Sequence, residues 1–427
     1  MRVLWITNII FPGPSKVLGL PAPVVGGWML ALAKQLNSFN EIILGVATTY
    51  HDNMFRSLDS DKVLYYLIPS KPASSEKSKE YWRKLCDEFK PDIIHIHGTE
   101  NAIGLDCIKA CPSLNYIVSI QGIVSLCAKY YYADISKREI ISSITLRDLV
   151  LMDTIFHGKK KFESISKMEN EYFLKLQHFS GRTRWDYVHS KAVNPSLTYH
   201  FCNESLRDSF YEASKWRIDH KTDFSIFLSQ SSYPLKGLHQ VLKAVALLKK
   251  DYPGIKIRVA GKNIIGNNNL KDRIMRSGYG AYIRRLIRKL KLDEIVVFTG
   301  NLNEEQMAAE YRNAHVFICP SSIENSPNSL GEAQLIGLPS IASHSGGIPD
   351  MIIHNESGLL YNYEDIEMLA YYIRRIFEDD TLALKLSEAG IKAASVRHNR
   401  LNNTETMISI YRKVINEQNA AKTIKTT

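Results

Sequence analysis

The chain has 427 residues, 45% of them hydrophobic, which is enough to fill two ordinary cores. Its 54 basic and 44 acidic residues leave a net charge of +10, which suits nucleic acid, anionic lipid or phosphorylated small molecules as partners. No zinc-finger, RNP or basic-zipper pattern is present, so nucleic acid is set aside, and no transmembrane segment is found.

The opening residues, Met1–Ile10, are too soon followed by Pro12, Gly13 and Pro14 for a signal peptide, and a cytoplasmic setting is expected. Cys86, Cys107, Cys111, Cys127, Cys202 and Cys319 fall mostly inside apolar runs and read as reduced core thiols. Cys107 and Cys111 could share a helix face, but no neighbouring histidine or second cysteine pair completes a zinc site.

In chain order, Arg2–Thr7 reads as a strand, Asn8–Gly27 as a loop rich in glycine and proline, and Trp28–Leu36 as a helix. A strand, a Gly26-Gly27 loop and a helix make a phosphate- or sugar-binding corner, while the absence of G-x-G-x-x-G spacing disfavours a dinucleotide. Strands follow at Glu41–Ala47 and Lys62–Ile68, then a helix over Glu76–Phe89 and a strand over Asp92–His97. His95 and His97 lie two apart and so share a face; a metal pair, buried core histidines and pocket residues all stay open. Asn115–Ile120 is the next strand and leads into Gln121-Gly122. Residues 123–190 are the least regular stretch, with helices over roughly 136–151 and 162–180 before the run that holds Arg182, Arg184 and Trp185. An insertion of this kind commonly builds an acceptor pocket; solvated helices with no role are the rival reading. Leu197–Cys202 is the last strand of the first half.

The second half alternates strictly. Strands at Phe224–Ser229, Ile255–Ala260 and Ile295–Thr299 are separated by helices at Leu238–Lys249, Ala281–Lys291 and Glu304–Asn313. This pattern, found twice in the chain, implies two doubly wound parallel sheets. The helix at Ala281–Lys291 sets Ile283, Leu286, Ile287 and Leu290 on a core face and Arg284, Arg285, Arg288, Lys289 and Lys291 on the other. That second face is either solvated or laid on anionic lipid. A last helix is expected over Leu401–Glu417, followed by a disordered tail.

The densest stretch runs from His315 to Ile352. A short apolar strand stops at Pro320, Glu324 follows, a helix begins near Asn328 or Ser329, and Glu332 sits in its first turn. Gly337 and Pro339 end the helix, a second strand covers Ser340–Ala342, and Gly346-Gly347 forms the loop after it. The helix N-terminus attracts phosphate, and the two carboxylates suit sugar hydroxyls.

At Glu324, Glu332-Ala333, Gly337-Leu338-Pro339 and Gly346-Gly347 the chain resembles the retaining glycosyltransferases of family four. The resemblance implies a glycosyltransferase-B fold of two Rossmann-like domains facing across a cleft, with a C-terminal helix crossing back onto the first. The expected domains are 1–212 (acceptor-binding, with a helical insertion at 123–190), 213–400 (nucleotide-sugar-binding) and 401–427.

By the same resemblance Glu332 accepts from the donor ribose and Glu324 from the sugar. Lys236-Gly237 binds diphosphate together with Asn325, Ser326 and the helix amides of Asn328, Ser329 and Leu330, while Gly261-Lys262 lies near the base. Gly26, Gly27 and Arg182 approach the phosphates or the acceptor, and His97 joins the cleft.

The family's usual arginine five residues before Lys-Gly is Ser231 here, and a histidine often found against the sugar is Gln121. Gln121 is therefore expected to position the sugar without exchanging a proton. No cofactor and no metal is expected, the nucleotide-diphosphate sugar being the donor substrate; the acidic pair Asp59 and Asp61 is discounted. The implied reaction moves a hexose-type sugar, with retention, to a saccharide or lipid-linked acceptor in surface polysaccharide assembly, in the cytoplasm or at the inner face of an anionic membrane. An epimerase of the same fold, or a catalytically silent sugar-nucleotide binder, is the alternative.

Overall fold

The computed structural model describes residues 1–20, 26–52, 54–70, 74–267 and 269–426. The chain forms two compact units, one of Met1–Ile123, Ile165–Leu206 and His398–Thr427, the other of Val124–Ser164 and Arg207–Arg397.

The first unit holds β1 (Arg2–Ile6), β2 (Ile43–Tyr50), β3 (Arg56–Ser60), β4 (Val63–Pro69), β5 (Ile93–His97), β6 (Tyr116–Ser119), β7 (His178–Gly181) and β8 (Thr198–Phe201). Their order across the sheet is β3-β4-β2-β1-β5-β6-β7-β8, parallel throughout except for β3. The exception is a hairpin at the sheet edge, closed by Asp61 and Lys62, both left-handed at φ 55° and 62°. The discounted acidic pair Asp59 and Asp61 belongs to this hairpin.

β1 is buried on both faces from Val3 to Ile6 and reads as an apolar run, while β5, also buried on both faces, carries His95 and His97 among its isoleucines. The helix Arg400–Thr426 adds Met407, Tyr411 and Val414 to the core formed around Val3, Trp5 and Leu36. Tyr411 satisfies the polar atoms buried there. Its hydroxyl accepts from Trp5 Nε1 at 3.0 Å and bonds His95 Nδ1 at 2.6 Å. The other ring nitrogen, His95 Nε2, meets Ser119 Oγ at 2.6 Å. Burial pushes His95 down to about 3, so it stays neutral.

The second unit holds β9 (Ser225–Leu228), β10 (Lys256–Ala260), β11 (Val296–Gly300), β12 (Val316–Cys319), β13 (Ser340–Ser343) and β14 (Leu359–Tyr361). These run in the order β11-β10-β9-β12-β13-β14, all parallel. In each sheet the winding reverses once, between β1 and β5 and between β9 and β12. Loops leaving the C-terminal ends of those strands therefore diverge, and a crevice opens between them.

The two doubly wound sheets agree with the alternation in the sequence, but several elements differ. A helix over Pro12–Val17 lies within the stretch read as loop, whose residues 21–25 fall outside the described residues. β3, β7 and β14 are strands the reading did not indicate: β3 is a polar, mostly exposed edge strand, and β7 takes residues read as the end of a helix over 162–180. The final helix continues to Thr426 instead of fraying after Glu417.

The largest difference concerns residues 123–190. The sequence reading keeps this insertion with the first domain; its first part, Val124–Ser164, belongs to the second unit. Hydrogen bonds across the sequence hold it there. The carbonyl of Ala133 accepts from Tyr363 Oη at 3.1 Å and meets His239 Nε2 at 2.7 Å, and Arg285 Nη1 donates to Ser142 O at 2.9 Å. None of these partners is near in sequence, and a solvated appearance is what the insertion presents when read alone.

Tyr411→Phe removes the hydroxyl shared by Trp5 and His95 and leaves buried polar atoms unpaired. Chemical denaturation should show a loss of about 1–3 kcal/mol. A variant as stable as the wild type would show that the Tyr411 hydroxyl does not support this core.

Candidate functional site

In the second unit the β9 loop and the β12 loop meet at the point of winding reversal. Lys236, from the first loop, is ion-paired to Glu324, from the second, and Ser321 Oγ donates to the same carboxylate oxygen at 3.2 Å. Burial works against the lysine's charge, but the Glu324 carboxylate and the Tyr233 hydroxyl outweigh it, and the Lys236 ammonium is held charged far above neutral pH.

Two glycines make this approach possible. Gly237 adopts φ +68°, and a Cβ there would lie 1.7 Å from the carbonyl oxygen of Pro320. Gly346 adopts φ +57°, and its Cβ would lie 1.8 Å from the carbonyl oxygen of Glu324, which accepts from Gly347 N at 2.9 Å. Only glycine fits both the left-handed backbone and the space. The β9 and β13 loops are therefore locked backbone-to-backbone onto the loop that carries Glu324.

The helix Asn328–Ile336 starts at this same edge of the sheet and ends at Gly337, φ +93°. Asn325 and Ser326 are buried just ahead of it, and Ser326 Oγ accepts from Arg397 Nη2 at 3.1 Å. Glu332 is only 4% exposed. Arg207 holds one of its oxygens, with Nε at 2.9 Å and Nη2 at 2.8 Å, and Tyr311 Oη reaches the other at 3.4 Å. Burial pushes the Glu332 carboxyl up to about 7, against the opposing pull of Arg207 and Tyr311. Gly261, at φ +97°, caps β10 through Gly261 N to Gly300 O at 2.9 Å, with Lys262 exposed beside it. Ser231 is buried in the β9 loop.

In the first unit a second group of predicted residues gathers where β5, β6 and β7 end. His97 packs edge-on to Trp5 at 4.4 Å between ring centroids, with Trp28 at 5.6 Å and His95 at 3.9 Å. Burial, and then the neighbouring His95, depress its pKa well below the usual histidine range; both of its ring nitrogens are buried without a hydrogen-bond partner.

Arg182 is ion-paired to Glu204, and its Nη2 donates to Gln121 O at 3.1 Å. Gln121 Nε2 donates to Glu204 Oε1 at 2.9 Å. Gln121, Arg182 and Glu204 are thus a closed triad, and one amide proton of Gln121 is already committed to Glu204 instead of pointing only at a ligand. His97, Arg182, Glu204 and Trp28 share the lining of a pocket of about 20 Å³, room for a water molecule. Gly26 adopts φ +81° at the start of the helix Gly27–Leu36, its Cα approached by Ile9 so that a Cβ would fall 2.4 Å from Ile9 Cδ1.

Sequence reasoning missed the partners. Arg207, Tyr311 and Glu204 lie in stretches with no motif, and nothing local marks them; the signal is the burial of Glu332 and Arg182, since a buried charge requires a counter-charge.

Residues 210–393 match the family described as glycosyl transferases group 1. Among curated proteins, D-inositol 3-phosphate glycosyltransferase of Pseudarthrobacter chlorophenolicus is 26% identical over 179 residues, 41% of this chain and 40% of that protein. The chain thus spans about two fifths of the length of the curated relatives it matches. Among solved structures, sucrose-phosphate synthase from Thermosynechococcus elongatus superposes with a TM-score of 0.71 at 16% identity, covering 98% of this chain and 100% of that one. Anabaena HepE, solved in complex with UDP-glucose, gives 0.63 at 14% identity over 97% and 100%. These likenesses span nearly the whole chain and identify the fold as glycosyltransferase-B.

Glu332→Gln tests the buried carboxyl. A folded pKa raised from 4.5 to about 7 contributes stability that is complete below about pH 4.5 and is lost as pH rises through 7. At 1.36 kcal/mol per pKa unit the loss is about 3 kcal/mol. Denaturation between pH 4.5 and 8 should show this decline in the wild type and a flatter profile in Glu332→Gln; parallel profiles would show that Glu332 titrates normally.

Proposed function

We propose, because residues 210–393 match glycosyl transferases group 1, that the protein transfers a hexose-type sugar from a nucleotide-diphosphate donor. The observation that carries this reading is the Lys236–Glu324 pair at the winding reversal of the second sheet, beside the N-terminus of the helix that holds Glu332. One place on the unit thereby offers a cation and helix amides to a diphosphate, and two carboxylates to hydroxyl groups.

Lys236 meets the diphosphate as a point charge, and Glu324, relieved of part of the ammonium, accepts from the sugar hydroxyls. Glu332, positioned by Arg207, accepts from the ribose. As the bond between the anomeric carbon and the phosphate oxygen breaks, negative charge grows on the departing diphosphate, where Lys236 and the amides at Asn328–Leu330 stabilise it. The acceptor hydroxyl then attacks the same face, giving retention, and its proton passes to the departing phosphate. The resemblance to family four assigns the acceptor to the first unit, which holds the triad of Gln121, Arg182 and Glu204. The solved likeness to a UDP-glucose complex favours a uridine donor, and the resemblance to family four favours retention without a divalent metal, a saccharide or lipid-linked acceptor, surface polysaccharide assembly, and a cytoplasmic site at an anionic membrane.

Incubation with a panel of nucleotide sugars, with and without saccharide acceptors, tests the reaction. Transfer supports it; epimer formation without acceptor, or binding without turnover, replaces it with an epimerase or a silent binder. Lys236→Ala should weaken UDP by roughly 1.5–3 kcal/mol, the worth of a hydrogen bond to a charged group, and uridine far less. Equal losses for both ligands in calorimetry would show that Lys236 does not meet phosphate.

A further inference from the structure

Away from Lys236, Glu324 and Glu332, the second unit carries an open basin of about 920 Å³ lined by Arg273, Arg276, Arg284, Arg285, Arg288 and Lys289. The helix Gly278–Lys289 supplies four of these six, and the preceding segment supplies Arg273 and Arg276. Part of the basin is built rigidly. Arg276 Nε donates to Ile265 O at 2.6 Å, and Arg285 donates to Ser142 O at 2.9 Å and to Ser143 Oγ at 2.6 Å. Among the described residues no carboxylate pairs with Arg273, Arg276, Arg288 or Lys289. Among the described residues, Arg276 Nη2 has no hydrogen-bond partner although it is buried. Burial and the neighbouring guanidinium groups of Arg284, Arg273 and Arg288 all depress the Arg276 pKa, while only Asp272 opposes them. Cations packed this closely, one with an unused buried donor, call for a multivalent anion such as a phosphate ester.

An apolar surface adjoins the basin. The short helices Lys137–Ile141 and Leu146–Val150 are tied to it through the Arg285 contacts and through Thr145 Oγ1, which donates to Arg276 O at 3.0 Å. They and the turn after them leave Leu146 82%, Val150 80% and Met152 70% exposed, with Ile141, Leu149 and Leu151 also largely in solvent. In the helix that supplies Arg273, Leu270 and Ile274 are 73% and 67% exposed. Contiguous exposed apolar side chains beside a basic patch are the pattern of an interfacial membrane contact, in which apolar groups enter the headgroup boundary while arginines hold lipid phosphates. A free phosphate would use the arginines and leave the apolar residues in water. A second copy seated here about a two-fold axis would bring two sets of arginines together, at a cost in like-charge repulsion.

We propose that this combined surface docks the second unit onto an anionic phospholipid membrane, with the basin taking lipid phosphates and Leu146, Val150 and Met152 entering the interface. The proposal rests on the reading of an enzyme that works at a membrane and names the surface that would put it there.

Co-sedimentation with vesicles of phosphatidylcholine, alone or mixed with phosphatidylglycerol, tests it, with UDP binding measured on the same preparations. The wild type should bind the mixed vesicles and lose them at high salt. Arg288→Ala with Lys289→Ala should weaken partitioning about twenty-five fold, at roughly fivefold per charge. Leu146→Asp with Val150→Asp should also weaken it strongly, although it removes no cation. Both variants alter exposed side chains and should keep wild-type UDP affinity. Vesicle binding that survives Leu146→Asp with Val150→Asp but is displaced by inorganic phosphate would make the basin a soluble-anion site and overturn the proposal. Self-association abolished by the same variant, without vesicle binding, would assign the surface to a second copy and also overturn it. Vesicle binding without UDP binding would sink the transfer reading and leave this surface standing; UDP binding without vesicle binding would do the reverse.

Discussion

The contact on which the second unit's site depends is between backbones. Gly237 rests on the carbonyl of Pro320 and Gly346 on the carbonyl of Glu324, each too close for any side chain. These contacts fix the loops after β9, β12 and β13 relative to one another, so that Lys236 and Glu324 meet without relying on the flexibility of two long side chains. An ion pair assembled from mobile surface groups contributes little, because the entropy of holding both ends offsets the attraction. Here the backbone has already been ordered by the sheet, and the pair stands pre-formed at the place where the winding reverses.

Buried charge is the second organising constraint. Glu332 is enclosed with Arg207 and Tyr311, Arg182 with Glu204 and Gln121, and in each case removal of one partner would strand the other in a medium that solvates it poorly. These groups consequently act as sets. Arg182 brings no uncompensated positive charge to its surroundings, which alters the part expected of it from sequence: it braces Gln121 and Glu204 as much as it offers a donor. His97 is the opposite case, a neutral ring whose two nitrogens are buried among aromatic groups without a partner. The arginine basin is different again, since its charges crowd together and, among the described residues, no carboxylate pairs with most of them.

Much of this was legible in the chain itself. The alternation of apolar runs with amphipathic helices implied two doubly wound sheets, because a parallel strand covered on both faces must be continuously apolar and its crossover helix must not be. Glu324, Glu332, Gly337, Gly346 and Gly347 were recognisable because they sit close together, with spacings set by one strand, one loop and one helix. Lys236 and Gly237 were singled out only by the resemblance to the glycosyltransferases of family four. β3 escaped notice because its residues are polar and mostly exposed, and β7 because it directly follows a helical stretch whose pattern ran over it.

What the sequence determined alone, then, was the general alternation of strand and helix, most of the element types, and the faces of the amphipathic helices. Only the tertiary structure decided the pairings between distant segments. Arg207 reaches Glu332 across 125 positions and Trp5 reaches Tyr411 across 406. The same applies to the insertion, whose residues 124–164 join the second unit although they follow the sixth strand of the first sheet. Local propensity depends on neighbours a few residues away, whereas a buried charge or an unpaired carbonyl is satisfied by whichever group the completed packing brings near, and that choice is made only when the sheets are assembled.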